Sequence, residues 1–320
     1  MQPLVSVIIP TYNRANFLKD SIQSVLSQTF KDFEIIIINN YSNDNTLELV
    51  NSFNDNRIKI INYKNNGIIA KSRNQGLIHS SGRYIAFLDD DDLWCPRKLE
   101  LQIKYLESNP EIDIAYSNAM IIDEHGKRKG VLNNPKRAKS GKVFLELVND
   151  SFVPMLTVLM KKKVFETIGS LNEDLSMRAA EDYEYWLRAS LKFNFGYIDK
   201  PLALYRVHSG CASMAINRPL LWQKVLHSFF VNSEVPKKHF NNIIYKIERL
   251  DANVADYYWS ISDKINAKAY AKRYFLSNLK RLKLFNFFIG VLFYVSINFS
   301  YNSFKGIIRI VARICKPLNL

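Results

Sequence analysis

Four consecutive carboxylates are the feature of the sequence best suited to chemistry. Asp89, Asp90, Asp91 and Asp92 follow an apolar run that ends at Leu88. Neighbouring carboxylates repel one another, whereas a hard divalent cation that bridges diphosphate oxygens makes such a cluster favourable. A solvated acidic turn is the simpler alternative, but hydrophobic residues flank the run on both sides. The run predicts a metal site and leaves the reaction open.

A second acidic pair opens an amphipathic helix. Glu181 and Asp182 begin the segment EDYEYWLR. The helix macrodipole favours acids at a helix N-terminus, so capping alone explains the pair. A partly buried carboxylate beside a loop can also take a proton from an attacking hydroxyl group. The sequence leaves both roles open.

The segment YRVHS at residues 205–209 contains an arginine and His208. These groups offer positive charge or a metal ligand for a departing diphosphate. A single histidine is more often structural or exposed. The segment therefore supports the other two motifs without defining a site alone.

Strands and helices must bring these groups together. Short β-branched runs alternate with helical patterns, which is typical of βαβ units and a mostly parallel sheet. Strands are predicted at residues 4–9, 33–38, 57–61, 84–88 and 155–160, and helices at 17–27, 46–53, from 96 onward and 181–191. Residues 123–140 read as a surface loop. The predicted fold class is α/β, with a Rossmann-like, mostly parallel sheet flanked by helices and a C-terminal helical extension.

The C-terminal part differs in composition. Turn signals become rare from Asn217, so we expect a catalytic domain at 1–216 and a helical extension at 217–320. The net charge is +14, and residues 264–320 contain eleven Lys or Arg and no Asp or Glu. The apolar run 284–299 is shorter than the ~20 residues that cross a bilayer, and Lys305, Arg309 and Arg313 follow on one helix face. From about residue 264 we predict association with an anionic membrane surface and not with nucleic acid; packing on the catalytic domain is the alternative.

Several classes of protein lose support. No GxGxxG follows the first strand, and no GxxxxGK[ST] or GxSxG is present, which disfavours dehydrogenases, P-loop ATPases and α/β-hydrolases. Cys95, Cys211 and Cys315 form no CxxC pair, so neither a disulfide framework nor a zinc site is predicted. The first residues lack the pattern of a signal peptide. We expect a cytoplasmic protein, peripheral on the inner face of the membrane.

Residues 5–208 resemble the family-2 glycosyltransferases, which have a GT-A-type fold. VSVIIPTYNR at 5–14 resembles the family's opening strand and loop, and NG at 66–67 with RNQG at 73–76 its next nucleotide-side motif. SGRYI at 81–85 leads into its acidic metal motif. The resemblance implies a nucleotide-sugar donor, a divalent cation (Mg²⁺ or Mn²⁺) and an inverting displacement.

The resemblance also implies roles for individual residues. Asp182 would be the general base, and Glu181 would orient the acceptor or the base. Asp91 would contact the metal, His208 would lie near the metal and diphosphate, and Asp92 would support them. Asp90 would meet the ribose. The implied nucleotide-sugar contacts are Pro10, Thr11, Tyr12, Asn13, Arg14, Asn40, Arg73, Asp89 and Asp90.

One segment departs from the family pattern. Two aspartates followed by Gly-Ser usually come after the second strand, and this chain has NNYS at residues 39–42. The second aspartate normally meets the base. Asn40 can accept a hydrogen bond or donate one. A UDP-sugar stays the favoured donor, although this position weakens the assignment.

The sequence thus predicts an inverting, metal-dependent glycosyltransferase. Residues 1–122 would form the nucleotide-sugar-binding half and 123–216 the acceptor-side half. The acceptor would be a hydroxyl of a glycan or lipid-linked glycan, as in surface polysaccharide synthesis. A sugar-phosphate nucleotidyltransferase is one alternative, but PTYNR after the first strand lacks the expected glycine-rich loop. A catalytically impaired nucleotide-sugar-binding protein is the other, which the asparagine pair at 39–40 keeps open.

Overall fold

The computed structural model describes residues 2–211, 218–232 and 235–280. Contacts divide the chain into two units, Met1–Met214 and Ala215–Leu320. The strands, all in the first unit, are β1 Val5–Thr11, β2 Phe33–Asn39, β3 Ile58–Asn62, β4 Tyr84–Phe87, β5 Leu93–Trp94, β6 Ile114–Asp123, β7 Arg128–Val131, β8 Leu159–Lys161 and β9 Phe195–Val207. Its helices are α1 Ala15–Leu26, α2 Thr46–Ser52, α3 Ile69–His79, α4 Lys98–Ser108, α5 Phe144–Asn149, α6 Lys163–Ile168 and α7 Glu181–Lys192. The second unit contains α8 Arg218–Asn232, α9 Phe240–Ser260 and α10 Lys264–Lys280.

The described strands form one sheet in the order β3-β2-β1-β4-β8-β6-β9-β5, with β7 paired to β6. The strands β3, β2, β1 and β4 are parallel, as expected for successive βαβ units. Beyond β4 the sheet is mixed, because β8 is antiparallel to β4 and β6, and β6 is parallel to β9. This α/β architecture with flanking helices and C-terminal helices confirms the predicted fold class.

The two middle strands of the parallel half, β1 and β2, are buried along their whole length. Parallel strands covered on both faces read as nearly continuous apolar runs, which explains why both were predicted from sequence. Helix α3 packs closely on β1 at Gly76, where an added Cβ would overlap the side chain of Ile8. This approach holds the inward-facing Arg73 of α3 close to the sheet.

The second half of the sheet differs from the sequence prediction. Residues 123–140 were predicted as a loop, but Arg128–Val131 pairs with β6 as a fully exposed strand, which leaves no hydrophobic pattern to detect. Residues 155–160 were predicted as a strand, but Met155–Thr157 is a 3₁₀ turn and β8 begins at Leu159. Helix α3 was not predicted because it buries polar side chains and has no apolar stripe.

The second unit is helical in its described part. Ala255 and Trp259 of α9 pack against Ala267 and Ala271 of α10. None of the described helices is long and apolar enough to cross a membrane. The apolar run 284–299 and the basic stripe at 305–313 lie outside the described residues, so those expectations stay predictions.

Candidate active site

The acidic run follows β4, next to the loop that follows β1. The two strands pair in parallel, so their carboxyl ends meet at one edge of the sheet. Thr11 Oγ1 donates to Asp90 Oδ2 at 2.8 Å. Ser21 Oγ of α1 lies 2.9 Å from the carbonyl oxygen of Asp90 and 2.7 Å from that of Asp92. The turn is therefore held by both β1 and α1.

Basic side chains surround the turn. Arg14 Nη1 lies 2.7 Å from Asp91 Oδ2 and 3.2 Å from Asp90 Oδ1. His208 Nε2 lies 3.0 Å from Asp91 Oδ2. Arg206 donates from Nε to the carbonyl oxygen of Asp91 at 2.9 Å. The segment predicted from residues 205–209 thus contacts the acidic run, as its proposed role requires.

Burial changes the protonation of the acidic turn. The pKa of Asp90 rises to about 7, because the side chain is buried and lies beside Asp91, although Arg14 opposes the rise. Burial and the charge of Asp91 also raise the pKa of Asp92, which accepts the backbone N–H of Arg206 at 2.8 Å. Burial and the neighbouring carboxylate thus disfavour the ionised forms of Asp90 and Asp92. An added positive charge would favour the ionised carboxylates.

A group of side chains in the described part of the chain could hold a metal ion. Single ligand atoms of Asp91, His208 and Cys211 lie within 4.8 Å of one another. Carboxylate oxygens with water and diphosphate suit Mg²⁺ or Mn²⁺, and an imidazole nitrogen is a further ligand that transition metals accept. The contact of Arg14 with Asp91 indicates a position that already favours positive charge. The residues present therefore fit a divalent cation.

Arg73 connects the acidic turn to the acidic pair on α7. Its Nη2 lies 2.7 Å from Asp89 Oδ1 and its Nη1 lies 2.6 Å from Glu181 Oε1. Burial opposes its charge, yet Asp89 and Glu181 together raise the pKa of Arg73 above its usual range. Arg73 Nε and Glu181 Oε2 are buried without a hydrogen-bond partner in the described structure. The two motifs thus share one ion network centred on the buried Arg73, and a nucleotide contact of Arg73 stays a prediction.

Asp182 is the second residue of α7 and lies beside this network. Burial and the charge of Glu181 raise the pKa of Asp182 to about 7, while Arg73 lowers it. The backbone N–H of Tyr183 lies 2.7 Å from Asp182 Oδ1, so the carboxyl group also contacts the start of the helix. A group with a pKa near neutrality can both accept and release a proton, as general acid–base catalysis requires.

The loops after β1 and β2 are tied together on the predicted nucleotide side. Asn13, which has a positive φ of 51°, donates its N–H to Ser42 Oγ at 2.9 Å and accepts the N–H of Asn43 at 2.7 Å. Tyr12 is 50% exposed, whereas Pro10 is buried within β1. Within residues 10–14, only some side chains are therefore accessible to a ligand. Pro10 would contribute by shaping the end of β1.

Asn40 lies directly after β2, where the family usually has an aspartate. Its N–H donates to the carbonyl oxygen of Thr11 at 3.0 Å, and its Oδ1 accepts the N–H of Asn65 at 2.9 Å. Because the backbone N–H of Asn65 can only donate, the side-chain oxygen of Asn40 must face it. The Nδ2 group of Asn40 is therefore the part of the amide that remains to donate a hydrogen bond to a ligand. The position presents a donor where a carboxylate would present an acceptor.

Sequence analysis missed several contributors to this arrangement. Cys211 lies with Asp91 and His208, and the H-x-x-C spacing was the available signal. Ser21, which sequence analysis did not single out, acts through backbone carbonyl oxygens of the acidic turn. Arg206 was expected only as a positive charge, and it also contacts the backbone there. Such contacts depend on the chain path, so no sequence motif reveals them.

Comparison with known proteins adds sequence relatives. The sequence model described as Glycosyl transferase family 2 matches residues 6–169, just over half of the chain. An uncharacterized glycosyltransferase of Methanocaldococcus jannaschii, MJ1057, is 34% identical over 255 residues, or 76% of this chain and 84% of that protein. One from Rickettsia bellii is 40% identical over 206 residues, or 63% of this chain but 29% of the relative. The chain thus spans less than a third of that relative.

A putative teichuronic acid biosynthesis glycosyltransferase of Bacillus subtilis, TuaG, is 28% identical over 242 residues, which cover 75% of this chain and 91% of TuaG. Among solved structures, S. aureus TarS 1–349 in complex with UDP-GlcNAc has a TM-score of 0.63 at 17% identity, over 98% of this chain and 91% of that one. At this identity the likeness concerns the fold. Sheet, helices and structural likeness define a GT-A-type α/β protein. The chain belongs to glycosyl transferase family 2.

Proposed function

We propose that this protein is an inverting, metal-dependent glycosyltransferase that moves a sugar from a UDP-sugar to a hydroxyl group of a glycan or lipid-linked glycan. The ion network in which the buried Arg73 joins the partly exposed Asp89 to the buried Glu181 is the observation that carries this proposal. It links the acidic turn, suited to a diphosphate with its cation, to Asp182, suited to accept a proton. A capping role alone gives no reason for two buried acidic motifs to share one arginine.

In the proposed reaction the acceptor oxygen attacks the anomeric carbon of the donor sugar. Asp182 takes the proton of the attacking hydroxyl group, while Glu181, fixed by Arg73, orients the acceptor or the base. The bond between the anomeric carbon and the diphosphate oxygen breaks, and the nucleoside diphosphate leaves. Attack opposite the leaving group inverts the anomeric configuration.

Positive charge is needed at the leaving group. Asp91 and His208 would hold Mg²⁺ or Mn²⁺, which neutralises the departing diphosphate when bound. Arg14 lies within 3.2 Å of both Asp90 and Asp91 and would add a second positive charge at this edge. Asp92 would act through its hydrogen bond to the backbone of Arg206.

The nucleotide would lie along the loops after β1 and β2. Thr11 and Asn13 position these loops, Tyr12 is exposed for base contact, and Asp90 would meet the ribose. Asn40 would donate from Nδ2 to a carbonyl oxygen of uracil. TarS, which has a similar fold and was solved in complex with UDP-GlcNAc, supports a UDP-sugar, and TuaG, by its printed name, supports a surface glycan.

Release of nucleoside diphosphate from a panel of nucleotide sugars tests the proposal. With glycan acceptors we expect release from a UDP-sugar in Mg²⁺ or Mn²⁺ and none after chelation. Calorimetric binding of the donors without release under any condition would instead indicate a binding protein. Pyrophosphate release from a nucleoside triphosphate and a sugar phosphate would indicate a nucleotidyltransferase.

We also propose that the protein acts peripherally on the inner face of the cytoplasmic membrane. In the described part of α10, Ile265 is 83% exposed, and Lys268 and Lys272 are exposed on neighbouring turns. Leu276, 41% exposed, continues this pattern. Basic and apolar side chains on one helix suit the headgroup region of an anionic bilayer.

Co-sedimentation of the full chain with anionic and with neutral liposomes measures this association. We expect binding to anionic liposomes that weakens with salt, because each basic residue near the surface contributes about 1 kcal/mol. Charge reversal at Lys268 and Lys272 should weaken it further, and Lys19→Glu, on α1, is the matched control. Equal recovery of the wild type in the supernatant with both liposomes would refute the proposal.

A further inference from the structure

A cysteine of the turn after β9 lies next to the proposed cation site. Cys211 is 9% exposed, and its Sγ accepts the backbone N–H of His208 at 3.3 Å. Its thiol also donates to the carbonyl oxygen of Arg206 at 3.4 Å. The sulfur thus lies within the same group of ligand atoms as Asp91 and His208. The proposed glycosyl transfer gives this thiol no role.

These three ligand atoms include a nitrogen and a sulfur, whereas a hard cation requires only oxygen ligands. Mg²⁺ and Mn²⁺ prefer oxygen, whereas a thiolate selects Zn²⁺, Co²⁺ or Cd²⁺. One carboxylate, one imidazole and one thiolate leave a fourth tetrahedral position for water or a phosphate oxygen. In a tetrahedral zinc site with bonds of about 2.0 to 2.3 Å, the ligand atoms lie roughly 3.5 Å from one another. The ligand atoms of Asp91, His208 and Cys211 lie within 4.8 Å of one another. Movements of about an ångström by these side chains would therefore bring them to zinc-binding distances.

We propose that Asp91, His208 and Cys211 bind a thiophilic divalent cation such as Zn²⁺, which competes with Mg²⁺ or Mn²⁺ and arrests turnover. On binding, the sulfur–hydrogen bond of Cys211 breaks, its proton passes to solvent, and a sulfur–metal bond forms without any redox change. The inhibition rests on the proposed function of Asp91 and His208. The binding itself does not require glycosyl transfer.

Two local movements would accompany this binding. Arg14 Nη1 now lies 2.7 Å from Asp91 Oδ2, and its side chain is 31% exposed, so it can move toward solvent. The N–H of Gly210 now donates to His208 Nδ1 at 3.1 Å. A metal on Nε2 requires the ring proton on Nδ1, so the Gly210 amide must turn away, and glycine allows such a rotation.

Cobalt reports this geometry directly, because a cobalt–thiolate bond produces a charge-transfer band in the near ultraviolet. Fully reduced, metal-free full-length protein is titrated with Co²⁺ and then with Zn²⁺. We expect the band in the wild type and in the matched control Cys95→Ser, and its loss in Cys211→Ser and in His208→Ala. Zn²⁺ should bleach the band by displacing the cobalt.

The outcomes separate the inference from the proposed function. Absence of the band in folded wild type, or its persistence in Cys211→Ser, would overturn the inference; if Cys211→Ser does not fold, His208→Ala decides in the same way. In the turnover assay, Cys211→Ser should raise the Zn²⁺ concentration for half-inhibition by at least the roughly tenfold that loss of an outer-shell partner costs. A cobalt band without turnover on any nucleotide sugar would uphold the metal site and refute the glycosyltransferase.

Discussion

Asp182→Asn is expected to lower kcat by about 10²- to 10⁴-fold, the usual contribution of a general base. Donor affinity should change little, because Asp182 would contact the acceptor proton and not the nucleotide. The asparagine keeps the shape of the side chain but cannot accept the proton. Nucleotide release at saturating donor measures kcat, and calorimetry with the nucleotide sugar measures affinity.

The pH dependence of kcat/KM, which reports the pKa values of the free enzyme, provides a second readout of the same residue. Burial and Glu181 raise the pKa of Asp182 to about 7, and the base acts as a carboxylate. Activity should therefore rise with pH up to about 7 and fall by about tenfold per pH unit below it. In Asp182→Asn, the activity should be low at every pH, and its tenfold fall per pH unit below about 7 should disappear.

Asp199→Asn is a suitable control, since Asp199 is an exposed carboxylate on β9 that accepts a hydrogen bond from Tyr197. It should keep the wild-type rate and pH profile. Loss of donor binding with a normal residual rate in Asp182→Asn would make Asp182 a structural cap of α7. The base would then have to be another residue.

Asp91→Asn should lower turnover by on the order of 10²- to 10³-fold, as loss of one electrostatic contact to a developing charge typically does. The proposed cation would lose a charged ligand. Folding should change little, because an amide oxygen can still accept hydrogen bonds from Arg14 and His208, and one of four neighbouring charges is removed. Nucleotide release and thermal unfolding measure the two effects separately.

Asp32→Asn, an exposed carboxylate before β2, serves as the control for Asp91→Asn. It should retain activity and its requirement for a divalent cation. Full activity of Asp91→Asn in chelating buffer would refute the metal assignment. A large fall in its thermal midpoint would instead assign Asp91 a structural role through Arg14.

The sequence predicted the parallel half of the sheet because β1 and β2 are long buried apolar runs and clear turn signals separate the strands. The mixed half was harder to predict. β7 is polar and exposed, and Pro201 interrupts the pattern of β9. α3 was missed because it directs Ser72, Arg73 and Asn74 inward, which removes the usual apolar stripe. Periodicity detects burial of apolar side chains and cannot detect burial of paired polar ones.

In the candidate site, too, some features could be predicted from the sequence and others could not. The acidic run and the acidic pair were visible as local motifs with recognisable neighbours. The bridge from Asp89 through Arg73 to Glu181 was not visible, because it joins three separate elements. The amide orientation of Asn40 likewise depends on Asn65, which approaches only in the folded chain. Motifs indicate which groups take part, and the fold determines which groups meet.

The tight contact between Gly76 and Ile8 has a consequence for how this protein can vary. Gly76 touches no proposed substrate, but it sets the distance of α3 from β1 and so the reach of the Arg73 guanidinium. Any larger residue there would push the helix outward and pull the arginine from its two acids. A position that looks like ordinary core packing therefore constrains the chemistry as firmly as a residue of the site itself.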